Sequence, residues 1–159
     1  MPRLSLSAVH VANFVFCEDI RQEAGNKVTI LGAAAGKLNI PTVPANIKAA
    51  FYGELFLSAL GAAKISLLVA YDGTQVATID MNVIVNDVEE PIVVAIPAFP
   101  LPVLGPGQIT IDLELGGKRR TIFKREVRVQ PLTTAASSIV QQQQPSQSPT
   151  ARKRTRKLP

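Results

Sequence analysis

The sequence has 159 residues, of which 47% are hydrophobic and 18% are charged, a composition that indicates a globular chain and excludes a largely disordered one. This length predicts a single domain. The formal charge of +5 comes from one C-terminal cluster, because the remaining basic residues equal the 12 acidic residues in number. The cluster comprises Arg152, Lys153, Arg154, Arg156 and Lys157. We therefore expect a body without net charge, whose surface the basic isoelectric point does not describe.

Cys17 is the only cysteine, which excludes an internal disulfide and a metal site built from several cysteines. A chain without disulfides suits a reducing compartment, and we expect a cytoplasmic protein. The apolar run before Cys17 contains His10 and Asn13 and ends in the large Phe16, which does not fit a signal-peptide cleavage site. Residues 91–104 are apolar but contain four prolines, so no membrane span is expected.

The first elements in chain order are two strands and the polar corner between them. Val9–Cys17 is mostly apolar, and residues 18–23 are mostly charged or polar. A second apolar run starts at Lys27, after Gly25 and Asn26. This order predicts a strand, a strand-ending corner over residues 18–23, and a second strand.

Alternation of apolar and polar residues predicts that most of the following chain is strand. Residues 48–57 form a predicted strand that is apolar on part of both faces, and residues 44–50 are compatible with one short helical turn. Glycine-containing turns at Asp72-Gly73 and Gly116-Gly117 favour hairpins. Further strands are predicted at residues 64–71, 77–86, 91–96, 109–115 and 120–129, the last with a bulge between Ile122 and Phe123.

About eight short strands with glycine-rich turns predict an all-β fold, an antiparallel and immunoglobulin-like β-sandwich. The proline-rich segments 40–44 and 97–106 are interpreted as connections between the sheets. A small β-barrel is the alternative. We predict a sandwich domain over residues 1–132 and a disordered tail over residues 133–159, because the tail is rich in Gln, Ser and Pro and has little apolar surface to bury.

Catalytic chemistry is not expected. A cysteine nucleophile needs a base, and the only histidine, His10, is seven residues from Cys17. An odd spacing on one strand places two side chains on opposite faces. The acidic residues Glu18, Asp19 and Glu23 do not follow the spacing of a calcium loop. We therefore predict neither an enzyme nor a cofactor or metal site.

Two segments are candidates for contact with a partner. The first is a proline-rich loop whose apolar residues either cap the core or contact a partner: Phe99, Leu101, Val103 and Leu104. The second is the basic cluster of the tail, which is suited to a polyanion such as nucleic acid. No aromatic residue lies between its charges, so base stacking is not indicated. The alternatives are contact with an acidic protein, contact with a membrane surface, and a contribution to solubility alone.

The motif Cys17-Glu18-Asp19-Ile20-Arg21, followed by a Gly-Asn-Lys turn and a second strand ending near Ile30 and Gly32, resembles the start of a bacterial family of domains of unknown function. The resemblance covers about 25 residues. It implies a small β-sandwich of bacterial or phage origin, and it implies no activity.

The same motif suggests a structural role for its charged residues. An aspartate at a turn accepts backbone N–H groups, and Glu18 or Asp19 is positioned to pair with Arg21. We expect the motif to fix the corner between the two strands. The sequence as a whole favours a non-catalytic interaction or structural module, and the alternative is a nucleic-acid-associated accessory protein that uses its basic tail. It identifies neither the partner nor the oligomeric state.

Overall fold

The computed structural model describes residues 5–25 and 27–130, and in this part of the chain the alternating segments form ten strands. A single 3-10 turn, Leu6–Ala8, precedes them. The strands are β1 (Val9–Cys17), β2 (Asp19–Gln22), β3 (Val28–Leu31), β4 (Leu38–Ile40), β5 (Ala45–Leu57), β6 (Gly61–Tyr71), β7 (Thr74–Val85), β8 (Ile92–Val103), β9 (Gly107–Leu115) and β10 (Lys118–Val129).

Two sheets pack face to face and enclose the core. The first sheet has the order β1-β5-β8, and the second has the order β4-β10-β9-β6-β7. Neighbouring strands are antiparallel except for β4, which runs parallel to β10. An immunoglobulin sandwich pairs its strands A-B-E in one sheet and G-F-C in the other. The same order is present here as β1-β5-β8 and β10-β9-β6, which confirms the predicted sandwich.

The inner faces of both sheets supply the core, as strand alternation requires. Phe51 of β5 is fully buried at the centre of an aromatic cluster. Its ring centroid lies 5.3 Å from that of Phe16 and 6.2 Å from that of Phe14, both on β1. Phe123 of β10, in the opposite sheet, lies 5.8 Å away. The cluster therefore joins the two sheets.

The strand β5 is longer than predicted. It begins at Ala45, so the helical turn suggested for residues 44–50 is wrong. Ala45, Ile47 and Ala49 continue the inward-facing series of β5, and β8 pairs with this part of the strand. The period-two pattern and the neighbouring strand therefore decide the structure here rather than local propensity.

The prediction of a proline-rich loop from residue 97 is also wrong, because β8 continues through Pro97, Pro100 and Pro102 to Val103. The reason is that β8 is an edge strand, paired only with β5. A proline nitrogen is tolerated where it faces the free edge. Pro100 and Pro102 are two residues apart, so both nitrogens face the same side.

Bulges set the register of β10 and β1. The pairing of β10 with β9 shifts between Thr121 and Phe123, which confirms the predicted bulge. The pairing of β1 with β5 shifts between Val11 and Asn13. This second bulge was not predicted, and it reverses which residues of β1 face outward.

The predicted polar corner over residues 18–23 is mostly strand. Asp19–Gln22 forms β2, which pairs with β3 in a hairpin, and the bend between β1 and β2 is confined to Glu18. A strand with charged side chains is tolerated here because the β2–β3 hairpin is not part of either main sheet. The structure has ten strands and not the predicted eight, because β2 and the three-residue β4 are too short to give a clear alternating pattern in the sequence.

Candidate interaction face

The outer face of the first sheet has two halves with different surroundings. In one half, Cys17 and Ala50 are fully buried although neither belongs to the core cluster. They are direct partners in the register of β1 and β5. The strand β2 approaches β5 and β8 without hydrogen-bonding to either. The β2–β3 hairpin therefore covers this half, and we call it the covered half.

Cys17 lies beneath the hairpin. Its thiol donates to the Ala50 carbonyl oxygen at 3.5 Å. Burial raises the pKa of the Cys17 thiol, and this effect outweighs the opposing hydrogen bond from the Asp19 backbone N–H. The thiol is thus held in its protonated form, which is a poor nucleophile.

The bulge in β1 changes the relative orientation of the His10 and Cys17 side chains. His10 pairs with Phe56 and Cys17 pairs with Ala50, so both side chains lie on the outer face of the sheet. The prediction that they face opposite sides is wrong. They are nevertheless separated by six residues along β5, roughly 20 Å at the rise of a strand, which is far beyond hydrogen-bond reach.

Asp19 makes the contacts that the structural hypothesis requires. One carboxylate oxygen accepts the Ile20 N–H at 3.0 Å, and the other lies 3.4 Å from Nε of Arg21. Both charged side chains are substantially exposed, so the ion pair is weak. The stabilising role of the motif remains a prediction.

Glu18 sits at the bend, where its N–H donates to the Leu31 carbonyl at 3.0 Å. Its side chain passes over Gly32, and a β-carbon at that position would lie 2.6 Å from Cγ of Glu18. Gly32 also has a φ of +63°, which favours glycine. Glu18 and Gly32 help to line a cleft of about 420 Å³ that also includes Lys48.

The other half of the outer face is not covered by the hairpin, and we call it the open face. Its residues are half-buried or exposed and come from all three strands of the sheet. They are Asn13 and Val15 of β1, Tyr52, Glu54 and Phe56 of β5, and Val93 of β8. Val93 is 50% exposed. The open face therefore presents aromatic and aliphatic surface around one carboxylate.

Glu54 is fixed at the centre of the open face. Its two oxygens accept hydrogen bonds from the Tyr52 hydroxyl at 2.7 Å and from the Asn13 side-chain amide at 2.8 Å. The bond from Tyr52, followed by that from Asn13, lowers the pKa of Glu54. The same bond raises the pKa of Tyr52. Glu54 is thus an oriented anion with apolar neighbours.

Only part of the predicted partner segment is available for contact. Leu101 and Val103 are fully buried in the core, and Phe99 packs against it with its ring 6.2 Å from that of Phe51. Leu104, just beyond β8, is 77% exposed beside a cleft of about 390 Å³. The segment therefore mainly completes the core, and only Leu104 has the exposure that a partner contact needs.

The basic cluster Arg152, Lys153, Arg154, Arg156 and Lys157 lies outside the described residues, as does the rest of the predicted tail. Within residues 5–25 and 27–130, no group of three or more His, Cys, Asp or Glu side chains is arranged to hold a metal ion. This part of the chain also forms no helix long and apolar enough to cross a membrane.

The open face was not predicted from the sequence, although the sequence contains one signal for it. The β5 strand was predicted to be apolar on part of both faces, and Tyr52 and Phe56 account for the outer part. The Asn13 contribution was not recognisable, because the bulge in β1 brings it opposite Glu54. No model of a known protein family matches the chain, and no curated protein matches it either.

Proposed function

We propose that this protein is a non-catalytic interaction module and that the open face binds a protein partner. The observation that carries the proposal is the combination of half-exposed Tyr52, Phe56 and Val93 with one oriented carboxylate, Glu54. Aromatic residues beside a fixed polar group are typical of the centres of protein interfaces.

The chemistry of the open face defines the partner. Glu54 stays ionised because Tyr52 and Asn13 both donate to it, so a basic side chain is its natural counterpart. The surrounding aromatic and aliphatic groups suit an apolar patch. We therefore propose a partner that presents apolar side chains around a lysine or an arginine. The same carboxylate would repel the phosphates of a nucleic acid.

Site-specific cross-linking tests this proposal. A benzophenone amino acid is placed at Val93 on the open face and, as a matched control, at Thr110 on the outer face of the second sheet. Proteins cross-linked only from Val93 are identified and purified, and their affinity for the purified full chain is measured. A partner bound through the open face is expected from position 93 and not from position 110.

Charge reversal separates the proposed contact from adventitious capture. Glu54→Lys should weaken binding of the purified partner about tenfold or more, because it removes the counterion of a basic group and adds a like charge. Glu114→Lys, which reverses a carboxylate on the second sheet, should leave affinity unchanged. Equal affinities for both variants and the unaltered chain would overturn the proposal, as would a nucleic acid as the bound species.

The proposal extends to the motif and the origin of the protein. Cys17, Glu18, Asp19 and Arg21 are assigned a structural role, in which they anchor the hairpin that closes the covered half. Membership of the bacterial family of domains of unknown function and a cytoplasmic location are part of the same proposal, and they rest on the sequence alone.

A nucleic-acid function through the tail is the second candidate, and one observation favours it. Half of the 12 basic residues outside the terminal cluster lie on β10, which leads directly into that tail. Four of these six already have partners: Arg119 pairs with Glu114, and Arg128 pairs with Glu126. Arg120 donates to the Val9 carbonyl, and Arg125 donates to the Gly36 carbonyl. Nucleic-acid binding would therefore depend mainly on the tail.

Deletion of residues 133–159 tests this second candidate. If the five terminal charges all engage duplex DNA, the logarithm of the binding constant should fall with the logarithm of salt concentration at a slope of roughly −4.5, and the deletion should abolish binding. Salt-sensitive binding that survives the deletion would show that the tail is not responsible.

A further inference from the structure

The four edges of the two main sheets differ in whether another strand can be added to them. An exposed strand edge presents unpaired N–H and C=O groups, and soluble proteins usually block such edges with proline, bulges, short length or charge. Three of the four edges in the described part of the chain are blocked in this way. The fourth, β7, has one bulge near its start, at Val76, and its remaining residues from Ala77 to Val85 pair without interruption and carry none of the other blocking features except the compensated charge of Asp80.

The β8 edge is blocked by Pro97, Pro100 and Pro102. The β4 edge is only three residues long. The β1 edge is interrupted by its bulge, and two of its carbonyl oxygens are already used: Arg120 donates to that of Val9 at 2.8 Å, and the Ala34 N–H donates to that of Phe16 at 3.0 Å. Each of these three strands is a poor template for a further strand.

The β7 edge has 12 residues and contains no proline, lysine or arginine. Its single charge, Asp80, is compensated by Lys64 at 3.0 Å and by the Ser66 hydroxyl at 2.6 Å, both on β6. Two inward-facing side chains, Ile79 and Met81, are only half-buried although they pack against the core. A strand added to β7 would cover them.

We infer that β7 is the pairing edge for a second copy of this chain, with the two β7 strands antiparallel across a two-fold axis. Such an interface is self-complementary, so residue i of one copy must lie opposite a residue with the same facing in the other. The axis then passes through a residue position. Centring it on Met81 gives the best register.

In the register centred on Met81, Asp80 of each copy lies opposite Asn82 of the other, an acceptor facing a donor. Thr78 lies opposite Ile84, which is 72% exposed in the single chain. Side chains directly opposite each other on one face of an antiparallel pair interact, and like charges there destabilise the sheet, which the Asp80–Asn82 pairing avoids. A register centred on Asp80 would place the two Asp80 carboxylates together, and one centred on Asn82 would place Asp80 opposite Ile84.

The register predicts the effect of one substitution and of its compensation. In Asn82→Asp, two Asp–Asp pairs form across the axis, and dimerisation should weaken about tenfold or more. In the double variant Asp80→Asn with Asn82→Asp, each aspartate again faces an asparagine, and dimerisation should be restored. Both variants keep a carboxylate near Lys64, because Lys64 pairs directly with Asn82 in the β6–β7 register.

Sedimentation velocity of the full chain over about 1–200 μM measures the outcome, and thermal melting verifies that each variant is folded. Asn46→Asp on β5 is the matched control and should dimerise as the unaltered chain does. A concentration-dependent dimer that is weakened by Asn82→Asp and recovered in the double variant is expected. A monomer throughout, assembly beyond the dimer, or a dimer insensitive to Asn82→Asp would overturn the inference.

Discussion

The covered half and the open face belong to the same sheet, but the β2–β3 hairpin packs against only the covered half. At the covered half, the small residues Cys17 and Ala50 allow the β2–β3 hairpin to lie close against β5 and β8. At the open face, the larger Tyr52 and Phe56 stand out from the same strand. The side-chain size on the outer face of β5 thus distinguishes the surface that the hairpin covers from the surface that we propose for a partner.

The inner layer beneath both halves is expected to dominate stability. Phe51→Ala removes the centre of the aromatic cluster and should cost about 3–5 kcal/mol, the usual effect of emptying a core phenylalanine site. Phe56→Ala, on the outer face of the same strand, should cost clearly less because its ring is half-buried. Chemical denaturation measures both, and equal losses would contradict the assignment of the two faces.

Overpacking should distinguish the two halves next. Ala50→Leu inserts volume beneath the hairpin and should cost about 1–3 kcal/mol. Val93→Leu adds a methylene to the open face and should change stability by less than about 0.5 kcal/mol. Denaturant midpoints give both values. A neutral Ala50→Leu would show that the hairpin does not press on the sheet.

Weakening of the corner motif should have a smaller effect. Asp19→Ala removes the acceptor of the Ile20 N–H and an exposed ion pair with Arg21, so a loss of less than about 1 kcal/mol is expected. Arg21→Ala serves as the control, because it removes only the ion pair. Partner affinity should not change in either variant. Unaltered melting with lost binding would reject the structural role of the motif.

The pH dependence of Glu54 should give the smallest effect. Its pKa in the folded protein is below the ordinary glutamate value of 4.5, so the folded state binds the proton less readily than the unfolded state. The stabilisation is therefore complete above about pH 4.5 and is lost as the pH falls through the lower folded value. The stability difference between the unaltered chain and Glu54→Gln should shrink below pH 4.5. A difference independent of pH would show that the hydrogen bonds to Glu54 do not favour its ionised form.

The period-two pattern made the sandwich predictable, and the phase shift at Ile122 made one bulge predictable. The strand through Pro100 and Pro102 was not predictable, because proline is excluded from a central strand and tolerated at an edge, and edge position is a property of the assembled sheet. The bulge at residue 12 left no clear phase signal, since Val11, Phe14 and Val15 are all apolar.

The site was less predictable than the fold for the same reason. Tyr52, Glu54 and Phe56 are visible as an outward series on β5, but their exposure depends on where the β2–β3 hairpin ends. That hairpin was not predicted, because the charged residues of the predicted corner, considered by themselves, indicate a turn. Register between distant strands, which local pattern does not encode, decided which half of the sheet remained open.

The most direct test of binding through the open face is the affinity of the partner identified by cross-linking from Val93. It is measured for the unaltered chain, for Tyr52→Ala on the open face, and for Ile20→Ala in the hairpin, with melting curves for all three. Tyr52→Ala should weaken binding about tenfold or more, as for an aromatic residue central to an interface, and Ile20→Ala should affect stability alone. Full affinity in Tyr52→Ala, or lost affinity in a folded Ile20→Ala, would contradict binding through the open face.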